Sequence, residues 1–141
     1  MHLRRGFTAI ELTIVVALVA ILSAIAMPGM TRLLDRIRVH AAVTQIESTF
    51  AAARHIAIAR SSQASVYIDT VARVISISVG DDTLRRAGIG NENGVELGTN
   101  RSSMSYAATG IGYGAANLSV VVRKSAAVDT IVVSRLGRVR H

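Results

Sequence analysis

Residues 4–28 read RRGFTAIELTIVVALVAILSAIAMP. A basic pair, Arg4 and Arg5, precedes Gly6-Phe7; a single carboxylate, Glu11, follows, and then an apolar run without charge as far as Pro28. The stretch from Ile10 to Met30 has about the 20 residues that a helix needs to span a bilayer. Arginines ahead of it place the N-terminus on the cytoplasmic side. A carboxylate inside such a stretch costs about 2.5–3.5 kcal/mol on insertion scales, which makes Glu11 a functional-site candidate by default. A conventional secretory signal has an apolar core of about 7–15 residues and a small-residue cleavage site behind it. The core here, Leu12 to Met27, is longer and carries Glu11 at its front, although Ser23-Ala24-Ile25-Ala26 mimics a signal-peptidase site. A plain single-pass anchor explains the length and the basic flank. It does not explain the glycine, the phenylalanine or the glutamate.

All of these features together resemble the class III signal of type IV pilins and type II secretion pseudopilins. The resemblance implies that a prepilin peptidase cuts after Gly6 and methylates the new terminal amine of Phe7, so that residues 1–6 are a leader. It implies a helix 7–30 seated in the inner membrane and later in a filament core, with Pro28 at the family's usual kink position. It also implies that Glu11 pairs with the Phe7 amine of a neighbouring subunit, an attraction far stronger in low dielectric than in water. A glutamate that only snorkels at the membrane edge is the competing reading. Ala9 departs from the family, which usually carries a large aliphatic residue there.

Beyond Pro28 the pattern turns amphipathic. Leu33, Leu34, Ile37, Ala41, Ile46, Phe50, Ala53 and Ala57 recur near three- and four-residue spacing, which predicts one helical face. Pro28 removes a backbone donor, and Gly29 softens the same spot, so a kink or local melt is expected there. The helix is expected from about Phe7 to Arg60, with 31–60 as its amphipathic half. From Ser61 the periodicity changes, and a β-rich head over 61–141 is expected. Val66–Ile68 and Val74–Val79 read as a hairpin joined near 69–73, and Gly80–Gly94 as a polar, glycine-rich loop. Weaker strands fall at Val95–Leu97 and Met104–Tyr106. Stronger ones fall at Leu118–Arg123 and Thr130–Ser134, with a turn over Ser125–Asp129. The fold class is therefore α+β: a long N-terminal helix packed on an antiparallel head.

The C-terminal half carries a second resemblance. Gly110-Ile-Gly-Tyr-Gly, then Leu118–Arg123, Asp129–Ser134 and Gly137-Arg-Val-Arg140 look like the GspH/FimT branch of pseudopilins. That branch implies a minor subunit of a type II secretion pseudopilus, assembling with other pilins of the same filament. A FimT-like minor pilin that captures DNA is the alternative. Arg123, Lys124, Arg135, Arg138 and Arg140 stand against one acid, Asp129, over 123–141. Arginine suits phosphate because its planar donors engage two oxygens at once. A solvated terminal strand, or arginines pairing with a neighbouring subunit, accounts for the same residues.

Composition narrows the chemistry. The chain of 141 residues carries a net charge of +7 and no cysteine, which excludes a disulfide framework, a thiol nucleophile and a cysteine metal site. Loss of Arg4 and Arg5 with the leader would lower the charge by two. Many major pilins close a C-terminal loop with a disulfide, so the absence of cysteine favours the minor-pilin or pseudopilin reading. His40 and His55 lie about 22 Å apart along a helix and cannot share a metal. Asp81, Asp82 and Glu92 lack the spacing of a calcium loop, and a solvated acidic loop is the simpler reading. No G-x-S-x-G elbow or phosphate loop is present. No enzymatic activity and no cofactor are expected.

Overall fold

The computed structural model describes residues 7–113, 117–134 and 139–140. It divides into two compact units, Met1–Leu34 and Asp35–His141. One α-helix, α1 (Ala9–Ala59), contributes to both.

In the first unit every described residue of α1 is exposed, including Ile14, Leu18, Leu22 and Ile25. A helix apolar on all sides needs a membrane or a protein assembly around it. Among the described residues α1 is the one helix long and apolar enough to cross a bilayer. The helix does not melt at Pro28, which lies inside it. Proline has no N–H to give the carbonyl four residues back, at Ala24. On its C-terminal side the Thr31 hydroxyl donates to the Pro28 carbonyl at 3.1 Å.

In the second unit the remainder of α1 buries a stripe: Val39, Ala42, Val43, Ile46, Phe50, Ala53 and Ala57. This corrects the expected face. Ile46, Phe50, Ala53 and Ala57 lie on it, but Leu33, Leu34, Ile37 and Ala41 are exposed. Traced back from Phe50 at helical spacing, the stripe runs through Val43 and Val39 toward Asp35, a different side of the helix. Buried Thr49 satisfies its hydroxyl on the Gln45 carbonyl at 2.8 Å.

The head is two antiparallel sheets. The first orders its strands β3-β2-β1-β5-β6, from β1 (Ala64–Asp69), β2 (Val74–Val79), β3 (Asp82–Ala87), β5 (Ser103–Tyr106) and β6 (Gly112–Tyr113). The second orders them β4-β7-β8-β9, from β4 (Glu96–Thr99), β7 (Leu118–Lys124), β8 (Ala127–Val133) and β9 (Val139–Arg140). Alternation sets the inner faces: Val66, Ile68, Ile75, Ile77, Met104 and Tyr106 from the first sheet, and Leu97, Leu118, Val120, Val122, Ile131 and Val133 from the second. They join the α1 stripe in one cluster.

The expected loop over Gly80–Gly94 is corrected. It contains β3 and a short helix, α2 (Ile89–Asn93). Gly80, at φ +59, makes the reversal into β3. As an edge strand with one neighbour and charged Arg85 and Arg86, β3 carries no apolar alternation to read. Gly94, at φ +61, stops α2: its amide donates to Asn91 and that of Val95 to Gly90, at 3.3 and 2.8 Å. This is a Schellman motif. The turn expected over Ser125–Asp129 is also shorter, because Lys124 pairs with Ala127 and only Ser125 and Ala126 lie between.

Candidate functional site

The start of α1 is a capping box. Thr8 immediately precedes the helix and Glu11 is its third residue. The Glu11 amide donates to the Thr8 hydroxyl at 3.3 Å, and the Thr8 amide donates to a Glu11 carboxylate oxygen at 3.4 Å. Two amide donors that begin a helix without intrahelical partners are satisfied together. The Glu11 carboxylate is thereby held on the residue next to Phe7, which is 83% exposed. The spacing Thr8-x-x-Glu11 carries this signal in the sequence, and attention to the charge alone misses it. Gly6 lies outside the described residues. Pro28 lies 17 positions beyond Glu11, within the same exposed stretch of α1.

The basic residues at the other end are spread out. Arg123 lies on the outward face of β7, opposite Glu96 on one side and Val128 on the other. Arg140, on β9, is opposite Val132. Val128 and Val132 are four residues apart on β8, so the two arginines sit about 13 Å apart along the strands and two strands apart across them. Lys124 turns elsewhere, donating to the Gly94 carbonyl at 2.6 Å and closing the end of α2. Arg135 and Arg138 lie outside the described residues. Among the described residues, then, Arg123 and Arg140 share a face, Glu96 offsets one of them, and Lys124 has a structural partner.

Asp81, Asp82 and Glu92 are not brought together: no three His, Asp or Glu side chains among the described residues are placed to hold a metal ion. Among the described residues, the one strongly shifted titration belongs to the core. Burial pushes the Tyr106 phenol up from 10.0 to about 12, with Arg54 opposing the shift.

No family model matches the chain, and no curated protein sequence matches it significantly. Solved structures do match. The type IV minor pilin FimU of Pseudomonas aeruginosa superposes with a TM-score of 0.64 at 15% identity, over 77% of this chain and 90% of that one. A second crystal form of FimU gives 0.59 at 16% identity, over 72% and 90%. The minor pseudopilin EpsH of the Vibrio cholerae type 2 secretion system gives 0.52 at 9% identity, over 69% and 90%. The chain has the pilin-like fold of these proteins.

Proposed function

We propose that this chain is a minor subunit of a pilin-like envelope filament, processed after Gly6 by a prepilin peptidase and anchored in the inner membrane until it assembles. One observation carries the reading: a single 51-residue helix is exposed and apolar along its first half and supplies a head-domain core with its second. Such a surface stays soluble in lipid and then in the interior of a filament, where other subunits replace the lipid. The likeness to FimU and EpsH supports the fold on which this rests.

In this reading Glu11 works in two states. Alone, its carboxylate caps α1 through Thr8. In the filament it receives the cationic Phe7 amine of a neighbour, a charge-assisted bond stronger than the 3.4 Å amide contact it holds in the monomer. The machine we favour is a type II secretion pseudopilus, with this chain in the position of its H-type minor subunit and with no enzymatic role. A type IV pilus is the second reading, favoured by the higher TM-score of FimU.

Mass spectrometry of the native protein tests the processing step. A mature chain beginning at N-methylated Phe7 is expected, and Gly6→Val should keep the leader and exclude the protein from filaments. A mature chain beginning after Ala26 would make it an exported soluble protein and end the filament reading. Deletion distinguishes the machines: lost protein secretion with intact pili supports the pseudopilus, and the opposite phenotype supports the pilus.

A further inference from the structure

The outward face of the first sheet is rich in hydroxyls, with Asp69, Val74 and Arg86 among them. Antiparallel register aligns the hydroxyls in two rows. Ser103, Tyr67, Ser76 and Arg86 stand side by side across β5, β1, β2 and β3. One step along, Tyr113, Ser105, Ser65, Ser78 and Thr83 do the same from β6 to β3. Tyr67 and Tyr113 are 50% and 70% exposed. A groove of about 470 Å³ opens beside Tyr67, lined also by Asp69, Arg86, the hydroxyl residues Thr70, Ser76, Thr83 and Ser102, and the apolar Ile68 and Val74.

The groove has a fixed acid and a free base. Asp69 accepts the Val71 and Ala72 amides on Oδ1 at 2.9 and 2.8 Å, which locks the carboxylate and leaves Oδ2 without a partner among the described residues. The Tyr67 hydroxyl and the Arg86 guanidinium likewise meet no partner among them. One acid against one arginine gives the groove no net charge. A polyanion, whose binding is carried by several phosphate-neutralising cations, is not matched by it. An apolar ligand is poorly matched, because Ile68 and Val74 stand among four hydroxyl residues, Tyr67 and the charged Asp69 and Arg86.

The remaining chemistry is that of a polyhydroxylated ring. Its C–H face suits a tyrosine ring, which is apolar in body and polar at its tip. Its hydroxyls suit a carboxylate and a guanidinium, which make the stronger, charge-assisted hydrogen bonds. Tyr67 and Tyr113 lie two residues apart along the strands and two strands apart across them, about 12 Å by strand geometry. A single sugar ring does not bridge that distance, but a short chain of them does. We propose that this groove and the hydroxyl rows beside it bind a linear chain of neutral pyranose sugars. None of these residues lies on α1, so the filament reading stands or falls separately.

The test uses the full chain in lauryldimethylamine oxide, a detergent without a sugar headgroup, titrated calorimetrically with cellohexaose, chitohexaose and maltohexaose. At least one should saturate at millimolar concentration or below. Tyr67→Ala should weaken that binding severalfold, up to about tenfold, as expected for a lost aromatic contact. Tyr67→Phe should retain most of it, and Arg86→Gln should weaken it severalfold. Tyr113→Ala should weaken the hexasaccharide more than the matching disaccharide. Failure of all three sugars to saturate below about 10 mM, or unchanged binding by Tyr67→Ala, overturns the proposal. Single-stranded DNA binding that depends on Tyr67, with no sugar bound, would overturn it in favour of a nucleic-acid surface.

Discussion

A side chain at Gly110 would collide with Ile58: a Cβ built there lies 2.7 Å from Ile58 Cδ1 and 3.1 Å from Arg54 Nε. Gly110 also sits at φ +76, closed by its amide on the Ala107 carbonyl at 2.8 Å. Gly110 thus has a structural cause, since there the loop into β6 presses its backbone against the α1 stalk. Gly110→Ala should cost about 1–2 kcal/mol for the left-handed backbone alone. Gly80→Asn, at φ +59 with nothing within 4 Å, should cost less than about 1 kcal/mol. Thermal unfolding of the two variants checks the order.

The two roles of Glu11 separate by substitution. Glu11→Gln keeps a capping side chain at this position but removes the charge. Thr8→Ala keeps the charge and breaks the cap, at about 0.5–2 kcal/mol of helix stability. If the carboxylate serves a neighbour's amine, Glu11→Gln inserts in the membrane yet fails to enter filaments, while Thr8→Ala enters them. Sheared-filament fractions compared with membrane fractions read this directly. The reverse order would assign Glu11 to capping alone.

Tyr106 makes stability depend on alkaline pH. An unfolded phenol ionises near 10.0, whereas the folded one waits until about 12. Folding therefore favours the protonated form, and its contribution is complete below pH 10. As pH rises from 10 to 12 the unfolded state loses a proton that the folded state keeps, so stability falls, by about 2–3 kcal/mol from this group. Denaturant midpoints of Tyr106→Phe should fall less over that interval than those of the unaltered chain. Equal slopes would show that the phenol is not held in its protonated form.

What the sequence makes legible follows from how each element announces itself. α1 reads out because its first half is continuously apolar and its second repeats at helical spacing, and the inward residues of β1, β2 and β7 alternate. The helical stripe is misplaced at its start because Leu33, Leu34 and Ile37 are as apolar as true core residues, and only packing reveals that Val39 replaces them. β3 is hidden because an edge strand with Arg85 and Arg86 has no apolar period. α2 is hidden by its five-residue length, although Asn93-Gly94 marks its end. At the candidate site, the junction and the carboxylate are plain in the sequence. That Lys124 is spent on the Gly94 carbonyl is not, because α2 and the end of β7 are 30 residues apart.

That spent lysine sharpens the DNA alternative. Of the described basic residues near the C-terminus, Arg123 and Arg140 are placed to meet phosphate, and Glu96 stands beside the first. Two such contacts would give a log–log salt slope of about −1.8, modest beside dedicated DNA-binding proteins. If the tail captures DNA, the full chain in detergent should shift duplexes of any sequence at low salt and release them as salt rises. Arg123→Gln with Arg140→Gln should remove that part of the slope, about one unit for each contact, and Arg138→Gln should flatten it further. Lys124→Ala should leave the slope alone and lower the unfolding free energy by about 1 kcal/mol for the lost hydrogen bond. A chain that ignores DNA at low salt, or a double variant that binds unchanged, removes the DNA reading. A slope lowered by Lys124→Ala would show that the lysine leaves Gly94 for phosphate, and the arrangement at the end of α2 would then be one of two states.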